Sequence, residues 1–215
     1  MNARIRSAAG LTALALALAS GLVLPTTSAA ADEGVDVSVT IDDLTPPGSL
    51  AMTVAANNGV ALTENGSDAV NRQFTGTLPV VTVSDTRSTA EIPAGSRWSV
   101  VGQASAFTAP GVDPIGAEYL GWTPKFATTP APADDVEVGD QIASIVDATN
   151  TGGAGGPTTD SGLYAGGLEG QELLVSTDDA ATGSWDVTAD LALRVPADTA
   201  AGEYTSVVTL SLFDN

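Results

Sequence analysis

The sequence predicts an all-β protein, an antiparallel β-sandwich of the Ig-like, Greek-key type with long Gly/Pro-rich loops. Two observations carry this. Apolar and polar residues alternate over several short stretches, which puts one face of a strand in a core and the other in water. Gly, Pro and Asn punctuate those stretches, and none shows a helical repeat of 3.6.

The clearest stretch is Trp185–Asn215. Trp185, Val187, Ala189, Leu191, Leu193 and Val195 share one parity, with Asp186, Thr188, Asp190 and Arg194 on the other. Tyr204, Val208, Leu210 and Leu212 repeat the pattern, and Pro196–Gly202 lies between. Pro cannot donate to a ladder and Gly turns freely, so the stretch predicts two long strands joined as a β-hairpin.

Upstream, Val35, Val37, Val39 and Ile41 alternate with polar residues and predict a first strand, ended by Pro46, Pro47 and Gly48. Leu50–Ala56 predicts a second strand. Asn57-Asn58-Gly59 predicts a turn, with Val60–Thr63 returning as its hairpin partner. Phe74–Asp85 predicts one strand, with Pro79 at its start or at an edge. Trp98–Phe107 predicts another, with a bulge at Gly102. Residues 108–170 are rich in Gly, Pro and Thr and predict an irregular insertion, with at most a short strand near Glu118–Trp122. Leu173–Thr177 predicts the last short strand before the hairpin.

Residues 1–30 are expected to be a secretory signal peptide. Arg4 and Arg6 give a basic start, Leu11–Leu24 an apolar run, and the small residues up to Ala31 a cleavage site. The run is shorter than the ~20 residues a membrane anchor needs. Residues 31–215 are then expected to form a single domain, secreted and associated with the cell surface without a membrane span.

The chain carries 7 basic and 26 acidic residues, a net charge of −19. Two of the basic residues leave with the leader and none of the acidic ones do, giving −21 for the remainder. Such a surface repels nucleic acid and anionic lipid, and a nucleic-acid partner is excluded. There is no Cys and no His. Disulfides, thiolate chemistry and Ser-His-Asp or His-ligated zinc catalysis are excluded with them. No catalytic residue, metal or cofactor is expected. Asp42-Asp43, Asp134-Asp135 and Asp178-Asp179 lie near predicted turns, where carboxylates can share calcium but more commonly cap the backbone.

Several residues together resemble a known family. Trp98-Ser99-Val100 follows Val81-Thr82-Val83-Ser84-Asp85-Thr86-Arg87, and Tyr204, Val208, Thr209, Leu210 and Leu212 come at the end. Leu120-Gly121-Trp122-Thr123-Pro124 stands between. This order is similar to that of the WxL-domain cell-wall-binding proteins of Gram-positive bacteria, closest to their divergent actinobacterial members. There the proximal motif is Trp-x-Leu and the distal one Tyr-x-x-x-Leu-Thr-Trp-x-Leu. Val100 replaces the proximal Leu, and Leu210 stands where the distal Trp would be. The resemblance covers residues 75–215 and implies non-covalent attachment to the wall, with peptidoglycan as the ligand class.

The candidate ligand-binding residues are Trp122, Tyr119 and Trp98, because flat aromatic faces stack on sugar rings. Trp98 and Trp185 lie on the apolar parity of their strands, which reads as core, and a wall-contacting platform is the alternative. Trp122 lies in the irregular segment and is the expected exposed candidate. Tyr204 is expected in the core with its hydroxyl bonded at a corner. The expected partner is a cell-wall polymer or, alternatively, another surface protein, with this chain a structural or adhesive subunit. A carbohydrate-active enzyme would need two carboxylates converging on one cleft.

Overall fold

Strand β9, Gly183–Pro196, is the longest element and the one on which the others are laid. Trp185, Val187, Ala189, Leu191, Leu193 and Val195 are all buried, as their alternation predicts. The computed structural model describes residues 39–40, 46–56, 59–130, 135–151 and 155–215. The chain divides into residues Met1–Leu44 and Thr45–Asn215, and the second unit holds the two sheets. The expected first strand around Val35–Ile41 lies outside the described residues except for Val39 and Thr40, which are exposed.

The described strands form two antiparallel sheets, and the fold is an all-β sandwich. The first sheet contains β1 (Leu50–Val54), β2 (Thr63–Glu64), β3 (Asn71–Thr77), β4 (Val81–Asp85), β6 (Leu120–Phe126) and β9. The second runs in the order β10 (Val208–Asp214), β5 (Trp98–Ala104), β8 (Glu172–Thr177), β7 (Val136–Val138).

β6 covers one edge of β9, from Leu120↔Leu193 to Phe126↔Val187. β3 and β4 share the other edge end to end, pairing with residues 190–196 and 183–187. The predicted strand Phe74–Asp85 is therefore one line of chain broken at Leu78–Val80. Pro79 cannot donate there, and the register slips by one residue between Thr77↔Asp190 and Val81↔Val187. The Leu78 N–H still donates to Ala189 O at 2.9 Å, and the Thr188 hydroxyl donates to Leu78 O.

Four expectations are corrected. The C-terminal hairpin does not form, because both edges of β9 are already occupied. The chain crosses instead to the second sheet, where β10 pairs with β5. The crossing is fixed by the Thr108–Thr205 backbone pair at 2.9 and 3.0 Å, and by the Tyr204 hydroxyl, which donates to Ala200 O at 3.1 Å. Second, Val60–Thr63 does not return along β1. β1 pairs with β4, and β2 pairs with β3. Third, the irregularity in the second sheet is not a bulge at Gly102. The register slips where Val100↔Val175 gives way to Val101↔Leu173, leaving Leu174 as the extra residue on β8. That slip lets the consecutive Leu174 and Val175 both be fully buried.

Fourth, segment 108–170 is not wholly irregular, since it contributes β6 and β7 to the two sheets. Gly121 and Pro124 suggest a loop, but the pairing of β6 places the Pro124 nitrogen on the side facing away from β9.

The core is continuous between the sheets. The rings of Trp98, from β5, and Trp185, from β9, meet across it with centroids 5.3 Å apart and planes inclined by 43°. Beyond them Trp122 reaches from β6 over Gly102 of β5. A Cβ at Gly102 would lie 2.6 Å from the Trp122 ring.

Candidate functional site

The aromatic platform expected from the sequence does not exist as a surface. Trp98 and Trp122 are each 1 % exposed and Trp185 is 4 % exposed. Trp122 sits on a regular strand whose outer edge is closed by Ile142, through backbone bonds of 2.9 and 3.0 Å, so its ring is held inside the sandwich. The indole N–H groups of Trp98 and Trp122 are buried without a hydrogen-bond partner among the described residues. Tyr119 is half-buried and lines a hollow with Tyr204, Asp113 and Asp198.

The two motif stretches come together in a way the sequence does not announce. β5 and β10 are neighbours, with Leu210 opposite Gly102 and Leu212 opposite Val100. Val100 is fully buried, while Tyr204, Leu210 and Leu212 are partly buried against the core and Thr209 faces outward. The residues that carry the resemblance thus build one strand pair of the second sheet and its corner.

Asp85-Thr86-Arg87, just upstream of the first motif, ties the two sheets together at one end. The Arg87 guanidinium donates to both Asp85 oxygens at 2.7–3.1 Å and to Asp214 at 2.8 Å. The Asp85 side chain is fully buried. Burial pushes its carboxyl up, but the side-chain and backbone bonds from Arg87 and that residue's charge outweigh it, so Asp85 titrates below the usual carboxylate range. The same contacts raise Arg87.

Two concave surfaces remain as candidate sites. The first is a polar cleft of about 240 Å³ on the outer face of the first sheet. Gln73, Thr123, Gln141, Asp147, Asp190 and Arg194 line it. Each of its two carboxylates is matched by a cation: Arg194 binds Asp147, and Lys125 Nζ lies 2.7 Å from Asp190. Arg194 also reaches Asp68 at 3.5 Å, while its Nε is buried without a partner among the described residues.

The second is larger and apolar. Two cavities of about 760 and 420 Å³ share Gly59, Val60, Leu62, Phe107 and Ser206, so they form one groove. It opens between the β1–β2 edge of the first sheet and the β10 edge of the second. Its floor is the core itself: Phe107, Ile115, Leu120, Leu191, Leu193 and Val195. Its lips carry Val54, Val60 and Val207, which are 42 %, 37 % and 66 % exposed. Sequence reasoning missed this groove. The one signal was Val207, an apolar residue on the polar parity of its strand.

Among the described residues no group of three or more Asp or Glu side chains is placed to hold a metal ion. Asp42, Asp43 and Asp134 lie outside the described residues. Asp179 makes a local turn, its N–H donating to Thr177 Oγ1 at 3.2 Å, and Asp178 stands 4.0 Å from Arg97. No helix among the described residues is long and apolar enough to cross a membrane. Compared with known proteins, the sequence matches no family model and no characterised protein.

Proposed function

We propose that this chain is a secreted, non-catalytic module of the bacterial cell surface, and that it takes a protein partner in the apolar groove. The observation that carries this reading is the groove itself. A sandwich whose core residues line an open channel between two sheet edges leaves apolar area that a partner can cover. Of the two partners the sequence suggests, the burial of all three Trp rings favours a surface protein over a glycan stacked on exposed aromatics.

Direct attachment to a wall polymer such as peptidoglycan is the second reading. What favours it is the polar cleft, where the amides of Gln73 and Gln141 and the Thr123 hydroxyl offer donors and acceptors of the kind sugar hydroxyls use.

Sedimentation of the full chain separates the two. Purified walls carrying their surface proteins are expected to bring the chain down, and walls stripped of protein are expected not to. Equal sedimentation with stripped walls would replace the first reading by the second. Failure to sediment with either would overturn both.

A further inference from the structure

We infer that the groove is a strand-addition site, and that its occupant is an extended segment of a different protein, apolar at alternate positions and basic at one end. The inference rests on the groove reading above and specifies how the partner is held.

The backbone geometry supplies the template. In an antiparallel ladder alternate residues turn both N–H and C=O toward one neighbour. Arg97 and Asn215 exchange both bonds, at 2.9 and 2.8 Å, and the Ser105 N–H donates to Val207 O at 2.9 Å. With the register Val208↔Ala104 through Asp214↔Trp98, this fixes Thr209, Ser211 and Phe213 as the residues bonded to β5. The N–H and C=O of Val208, Leu210 and Leu212 therefore face away from β5, along an edge to which no strand is hydrogen-bonded among the described residues, with β1 the nearest strand of the other sheet.

The same three residues are those whose side chains pack toward the core. An added strand would thus find its backbone partners and its apolar pockets at the same positions, as β-augmentation requires. Across the groove β1 has the same character. Ala55 donates to Val80 and Thr86 donates to Ser49, so Leu50, Met52 and Val54 turn their backbone away from β4. An exposed edge of this kind is either blunted or used. Among the described residues, no Pro, Lys or Arg lies on β10 to blunt it.

Charge selects the occupant. Arg72 at the lip is neutralised by Glu64 at 2.9 Å and lies 5.1 Å above the Phe74 ring. Glu203 at the Tyr204 end of the groove, with Asp198 and Asp113 in the hollow that adjoins it through Tyr204, has no ion-pair partner among the described residues, and neither have they. A second copy would bring its own net charge of −19 against this rim. A strand with basic residues at that end meets complementary charge instead.

The test is residue-resolved amide exchange on the full chain. The probe is a short synthetic peptide of alternating valine and threonine with lysines at one end. The peptide is expected to slow exchange at Val208, Leu210 and Leu212 by about tenfold or more, while Thr209, Ser211 and Phe213 are protected with or without it. Glutamates in place of the lysines are expected to abolish the effect. Leu210→Pro removes an outward N–H and leaves the β5 ladder intact. It is expected to bind the peptide about three- to tenfold more weakly than Leu210→Ala, which loses the same side chain but keeps the N–H. Melting curves of both variants check that each still folds.

Unchanged exchange at the three amides would overturn strand addition, and if the chain still sediments with protein-bearing walls the groove reading survives it. Protection already present in the isolated monomer would assign the edge to another segment of this chain. Protection that rises with protein concentration, with a doubled mass, would assign it to a second copy. Either result overturns the partner proposed here.

Discussion

Trp122 and Gly102 are matched across the sandwich: the ring from β6 occupies the space that any side chain at position 102 of β5 would need. Leu210 closes the same contact from β10, 3.2 Å from the place of that missing Cβ. Gly102→Ala is expected to overpack this point and cost about 1–3 kcal/mol. For a domain of this size the melting temperature should fall by roughly 2–4 °C per kcal/mol. Trp122→Leu should relieve the clash, so the double variant should be more stable than the two single losses added together. A thermal-melt cycle of the four proteins measures the coupling.

The buried rings give an optical signature. Trp98, Trp122 and Trp185 together should emit as apolar-environment indoles, resist quenching by acrylamide, and shift to the red only on unfolding. Strong quenching of the folded chain would contradict the burial of at least one ring. Replacing Trp122 with Ala should leave a cavity and cost about 3–5 kcal/mol.

Asp85 sets an acid limit. Its folded carboxyl titrates below the unfolded value of about 3.9, so the stability it contributes is present above that pH and is lost as the pH falls through its folded value. The melting temperature should drop below about pH 4, and Asp85→Asn should flatten that limb. At neutral pH the same variant leaves Arg87 with Asp214 as its remaining counter-charge and should cost about 1–3 kcal/mol.

Val207→Lys tests the groove without disturbing the core. Val207 is 66 % exposed, so its replacement should change stability by about 0.5 kcal/mol or less. Sedimentation with protein-bearing walls should nevertheless weaken, since the substitution places a charge on the lip of the groove. A variant that unfolds would show that Val207 is structural.

The fold class was legible because alternation is a local property. Val81 and Val83, Trp98 and Val100, and Trp185 through Val195 each declare a buried face. What alternation cannot declare is which edge a strand lends to which neighbour. Trp185–Val195 and Val208–Leu212 look like a hairpin by length and loop, yet β9 has its edges filled by strands more than sixty residues upstream. β3 was hidden in part because Asn71-Arg72-Gln73 opens it with polar residues, all half-buried.

The candidate site was less legible than the fold. Gly121 and Pro124 are loop signals, and by that token they point Trp122 toward the surface. In the chain Pro124 turns its nitrogen away from the ladder, and Trp122 lies inside. The groove is assembled from Val60, Phe107, Leu193 and Val207, residues brought together only by the packing of the two sheets. Each of them singly is an ordinary apolar residue.

The position of β9 has a consequence for how the chain reaches this structure. β3, β4 and β6 are joined to one another only through residues 183–196, across more than fifty intervening residues. Contacts of such sequence separation make folding slow, because the entropy of closing long loops is lost before the pairing stabilises it. Until β9 has been made, β3 can pair only with β2 and β4 only with β1, so the first sheet stays in separate pieces for most of the chain's synthesis.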